Sequence, residues 1–143
     1  MDRDGACKVV LNGLGVTFGV VGLAFLLAPD QVIALLNWTG RLLGSFAEVP
    51  ASEQRLWVSL SFAYMSVVTA LALLAASDPR RYLHLLPILA LGKITSSLSG
   101  LGFYLVSRPA FAYLATFVVD GAIVLVVMGC YLHFRQEVTA VAD

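Results

Sequence analysis

The chain is short of charge. Asp, Glu, Lys and Arg make up 13% of its 143 residues, about half the share usual in soluble domains. The nine basic and nine acidic side chains cancel, so no basic surface exists for a polyanion, and nucleic acid is excluded as a partner. The two cysteines and two histidines do not fall at the spacing of a zinc cluster. There is no C-x-x-C pair, P-loop or nucleophile elbow. Ser96, Ser97 and Ser99 have no histidine at their depth, so a serine hydrolase would lack its base. His84 and His133 fall near the inner ends of two apolar runs, where a haem could take an axial pair. Their interfacial position favours two solvated side chains instead. No cofactor and no metal are expected, and an enzyme is the less favoured class.

Apolar residues dominate what remains. They form 59% of the chain, and the mean hydropathy is +0.88. A soluble domain of this length has too much surface to hide that much apolar area. The composition therefore implies an integral membrane protein. Segments of the length that crosses a bilayer, about 20 residues, run from about Val9 to Ala28, Leu56 to Ala76, Tyr82 to Val106 and Phe111 to His133. They are continuous rather than alternating, which favours helices over a β-barrel. The expected fold is all-α, a four-helix membrane bundle forming a single domain over residues 1–143.

Residues 1–8 read as a polar leader. Arg3 and Lys8 precede the first run, but that run is too long for a signal-peptide core and no small-x-small site closes it. It is expected to be retained. Between the first two spans, Pro29 and Asp30 suit the first turn of a helix. Val32, Leu35, Leu36, Leu42, Leu43 and Phe46 then recur at helical spacing, with Gln31, Asn37, Arg41 and Ser45 between them. This predicts an interfacial amphipathic helix over about residues 30–47, with Trp38 at headgroup level. Ser52 is a candidate cap for the second span. Arg3, Lys8, Arg80, Arg81 and Arg135 outnumber Arg41, Arg55 and Arg108 on the other side. That places both termini inside a cytoplasmic-type membrane. Cys7 and Cys130 come to similar depth there. Two apolar fillers are favoured over a disulfide on a reducing face.

Ionisable residues inside spans face the protein interior and usually pair. Lys93 lies near the middle of the third span and Asp120 near the middle of the fourth. Counted from a turn near Arg108, their depths differ by about 4–5 Å, which a lysine stem can bridge. An intramembrane Lys93–Asp120 ion pair is therefore predicted. Lys93, Ser96, Ser97, Gly100 and Tyr104 share one helical face. Tyr113, Thr116 and Asp120 share another. Arg55, Ser59, Phe62, Ser66 and Thr69 line the second span, and Asn12, Gly15, Gly19 and Gly22 the first. Gly15 and Gly19 form a G-x-x-x-G contact. These stripes are expected to meet inside the bundle.

Such an interior either locks helix register or lines a pocket or path. If it is functional, the candidates are Lys93, Asp120, Ser96, Ser97, Tyr64 and Tyr113, with Arg55 at the outer mouth. The leading expectation is a structural or accessory subunit, or a binder of a lipid-like molecule within the bundle. A small oligomeric transporter or channel subunit using Lys93–Asp120 comes next, and a membrane enzyme acting on a lipid or quinone ranks lowest. Expected partners are the lipid bilayer and a larger membrane complex or further copies of the chain.

The run Gly19–Leu27 leading into Ala28-Pro29-Asp30-Gln31-Val32, with the tight hairpin closed by Asp78-Pro79-Arg80-Arg81, resembles the small DoxX-like four-helix membrane proteins. The resemblance covers the organisation of most of the chain. It implies a fold and transfers no site.

Overall fold

The computed structural model describes residues 3–51 and 55–142, with side chains described as far as Gln136. Its helices are α1 (Arg3–Leu27), α2 (Pro29–Leu43), α3 (Arg55–Ser77), α4 (Leu85–Val106) and α5 (Phe111–Ala142). Four of them, α1, α3, α4 and the Phe111–Gln136 part of α5, are long and apolar enough to cross a membrane. Their outer surfaces are greasy. Val16, Leu91, Leu105 and Leu125 are each at least 60% exposed, which suits contact with lipid chains and would be costly against water.

Boundaries differ from expectation where local chemistry intervenes. The leader is helical from Arg3, with Asp4 in the first turn, where a carboxylate stabilises the unpaired N–H groups. The short helix stops at Leu43, before the expected 47. Gly44 is extended (φ 163°), and its N–H still bonds back to the Gly40 carbonyl. The third span starts at Leu85 because Asp78 to His84 is spent on turns, held by the Tyr82 N–H to the Asp78 carbonyl at 3.0 Å. The proposed Ser52 cap lies outside the described residues.

The spanning helices form two tight antiparallel pairs, α1 with α3 and α4 with α5. Small residues make each seam. A Cβ at Gly15 would stand 2.6 Å from Leu73 Cδ2, and one at Gly22 2.8 Å from Met65 Cβ. At Gly100 a Cβ would meet the Tyr113 carbonyl oxygen at 2.8 Å. The helices thus approach to backbone contact, the packing mode that works without a hydrophobic driving force.

Near the N-terminus the two pairs close on one another. Leu11 of α1, Ala72, Ala75 and Ala76 of α3, Leu86, Leu89 and Ala90 of α4, and Val127 and Cys130 of α5 form a single buried cluster. Asp4 ties this end. Its carboxylate accepts from Arg80 at 2.9 Å and lies 2.7 Å from His133 Nε2. Cys7 and Cys130 are both free thiols, and Cys7 packs against the cluster that holds Cys130.

At the other end α2 lies across the α4–α5 turn. Gly40 is buried against Phe111, and Phe46 meets the Phe111 ring edge-on at 5.6 Å. The Asn37 side chain clasps the following segment twice, donating to the Val49 carbonyl at 2.9 Å and accepting from its N–H at 3.0 Å. Arg108 donates to the Glu48 carbonyl at 3.1 Å.

Candidate functional site

Away from the closed end the two helix pairs diverge. The gap is a cleft of about 1030 Å³, around the upper limit of the ~300–1,000 Å³ common for small-molecule pockets. Trp57, Leu60 and Tyr64 of α3 form one wall, Leu91, Gly92 and Ser96 of α4 another, and Ala115 and Val119 of α5 a third, with Leu36 of α2 reaching in. Trp57, Leu60, Val67 and Leu91 on the rim are more than half exposed. The cleft therefore opens sideways through the apolar flank of the bundle.

The floor is polar. Lys93 Nζ lies 3.1 Å from Asp120 Oδ1, and the two side chains are 4% and 12% exposed. Lys93 reaches this position because α4 buries Leu86, Leu89, Ala90, Lys93, Ser97 and Gly100, a single stripe at helical spacing. Its ammonium stands 4.3 Å from the centroid of the Phe18 ring of α1 and 5.6 Å from that of Tyr64 of α3. These are cation–π distances. One side chain on α4 thus touches all three other spanning helices. Among the described residues, Lys93 and Asp120 are the only charged ones lining the cleft.

Tyr64 adds the feature that most needs explaining. Its hydroxyl is fully buried and has no hydrogen-bond partner among the described residues, although the residue lines the cleft. Leaving such a group unsatisfied costs about 1–3 kcal/mol. Gly92 makes room for it, since a Cβ there would stand 3.3 Å from the Tyr64 oxygen.

The remaining candidates separate. Ser96 lines the cleft. Ser97, one position on and about 100° round the helix, turns away and donates to the Phe117 carbonyl of α5 at 2.8 Å. It joins two helices and faces no ligand space. Tyr113 lies outside the cleft, its ring 5.6 Å from that of Phe103. Arg55 also lies outside it, in a separate cleft of about 660 Å³ with Asp30, Gln31 and Ser59. The stripes meet on α4 and α5, and in part on α1 and α3, where a Cβ at Gly19 would stand 3.6 Å from Thr69 Cγ2 and one at Gly22 3.7 Å from Phe62 Cδ2. Asn12 is exposed, and α1 buries Leu11, Gly15, Phe18 and Gly22 instead. On α3 the Ser66 and Thr69 hydroxyls donate to carbonyls of their own helix at 2.8 and 2.7 Å, so they offer nothing across the bundle.

Phe18 is the site residue that the sequence reading missed. Its signal was the Leu11, Gly15, Phe18, Gly22 spacing, which places an aromatic ring on the glycine seam. Comparison with family models, curated proteins and solved structures returns no match.

Proposed function

We propose that the protein is a membrane-embedded binder of a lipid-like molecule, which enters the side-facing cleft and sets its polar end on Lys93, Asp120 and Tyr64. The observation that carries this reading is the buried Tyr64 hydroxyl, unpartnered among the described residues, on a residue that lines a large and mainly apolar cleft. A core built for packing alone would fill that volume with side chains and pair that hydroxyl. An apolar chain fits the walls, and a head that hydrogen-bonds fits the floor. In this arrangement α2 lies in the membrane interface with Trp38 exposed, covering the end of the cleft where Leu36 enters. Both termini face the side richer in Lys and Arg.

The test is native mass spectrometry of the protein released from its own membrane. The wild type is expected to carry one retained amphiphile. Ser96→Phe, which fills the cleft from a wall position outside the ion pair, is expected to lose it while keeping the wild-type helix content and the melting temperature of the delipidated wild type. If a folded Ser96→Phe protein retains the same molecule, or if the wild type retains none, the reading is wrong.

A further inference from the structure

We infer that the head of the bound molecule is an uncharged hydroxyl, so that the ligand is a long-chain neutral lipid alcohol and neither a phospholipid nor a fatty acid. The inference rests on the cleft reading above and deepens it. Three observations converge on it.

The first is charge. Lys93 and Asp120 neutralise each other at 3.1 Å, and no other charged residue among those described lines the cleft. An anionic head would have to draw Lys93 away and strand Asp120 in an apolar interior. A cationic head would strand Lys93 in the same way. Breaking a buried pair from one side is among the costlier changes available to a protein. An uncharged head leaves the pair intact.

The second is depth. Lys93 lies about 12 Å along α4 from Leu85 and about 20 Å from Val106. A charged headgroup would have to leave the interface by roughly that distance and enter hydrocarbon, where charge is strongly disfavoured. A hydroxyl makes the same journey at much smaller cost.

The third is the hydrogen-bond inventory. The Tyr64 hydroxyl has no acceptor. Asp120, which lines the cleft, uses Oδ1 on Lys93, and its second oxygen, Oδ2, has lone pairs of its own. A ligand hydroxyl can accept from Tyr64 and donate to Asp120 at once, since it carries one donor and two acceptor sites. An ester or ketone can do only the first, and a hydrocarbon neither.

The experiment uses the wild-type chain in phosphatidylcholine nanodiscs, with tritiated hexadecanol as probe and chain-matched competitors. Saturable binding is expected. Unlabelled hexadecanol should displace the probe best and methyl palmitate less well. Hexadecyl sulfate and hexadecylammonium should be weaker by at least about tenfold, the scale of one lost hydrogen bond. Tyr64→Phe removes a single oxygen from a partnerless position and leaves the fold intact. It should weaken hexadecanol by about tenfold and leave hexadecane unchanged. Equal or better competition by either charged probe, methyl palmitate matching hexadecanol, or an unaltered hexadecanol affinity in Tyr64→Phe would each overturn the hydroxyl assignment. The cleft reading would survive those results, because a saturable site would still be there. Absence of saturable binding by every probe, charged ones included, overturns the cleft reading and this inference with it.

Discussion

Replacing Asp120 with Asn tests the energetic centre of the molecule. The substitution keeps the shape of the side chain and removes its charge. Lys93 is then left 3% exposed, with its ammonium against the Phe18 and Tyr64 rings at 4.3 and 5.6 Å. Ring contacts of this kind contribute about 0.5–2 kcal/mol. The lost attraction across 3.1 Å is about 5 kcal/mol at an effective dielectric constant of ~20. Stranding one partner of a buried pair costs about 3–5 kcal/mol in measured cases, and Asp120→Asn should fall in that range. The reverse single change, Lys93→Met, should cost a similar amount by stranding the carboxylate. The double variant Lys93→Met/Asp120→Leu removes both charges together and should recover to within about 1 kcal/mol of wild type, since apolar replacements of buried pairs are often neutral. The assay is equilibrium unfolding by sodium dodecyl sulfate in mixed micelles, followed by circular dichroism, on all four proteins. The coupling energy of the cycle is the quantity that matters. A double variant as damaged as the sum of the singles would refute the argument, because the two residues would then contribute independently.

Other perturbations follow from the same geometry. Tyr64→Phe should stabilise the ligand-free protein by about 1 kcal/mol, because it deletes an unsatisfied buried hydroxyl, and a lower unfolding midpoint in a delipidated sample would contradict that. Gly22→Ala drives a methyl to 2.8 Å from Met65 Cβ and should cost about 1–3 kcal/mol. Gly13→Ala meets nothing within 4 Å and should be neutral or stabilising by up to ~1 kcal/mol, so equal melting temperatures for the two would count against the glycine seam. Asn37→Ala removes both bonds to the Val49 backbone and should speed hydrogen exchange at the Val49 amide by about tenfold or more, and unchanged exchange there would show that the clasp contributes nothing.

The positions of the long helices were legible because hydropathy over about 20 residues is a strong signal. The Lys93–Asp120 pair was legible for a different reason. A connection as short as residues 107–110 fixes the relative register of α4 and α5, so depth can be counted from the turn. Which face of a helix points inward was less secure, because one residue is about 100° of rotation. That rotation parts Ser96 from Ser97 and puts Leu11 inside where Asn12 was expected. The cleft was not legible at all. It arises because the pairs close around Ala72, Ala75 and Ala76 at one end and diverge at the other. That divergence belongs to how the pairs meet, and no single helix encodes it.

The ion pair also bears on the order in which the chain enters a membrane. Lys93 is translated before its counter-charge, which follows 27 residues later. A ribosome that has completed α4 but not α5 presents the membrane with a segment carrying an uncompensated ammonium near its middle, at roughly +3 kcal/mol on insertion scales. Once Asp120 has emerged, the two mid-span charges of the hairpin cancel and that obstacle disappears. α4 and α5 would then insert as one unit, after α1 and α3 have already paired along their glycine seam. Asp4 must wait longer still, since His133 lies 129 residues downstream. The contact between them is therefore a closing step, available only when nearly the whole chain is in place.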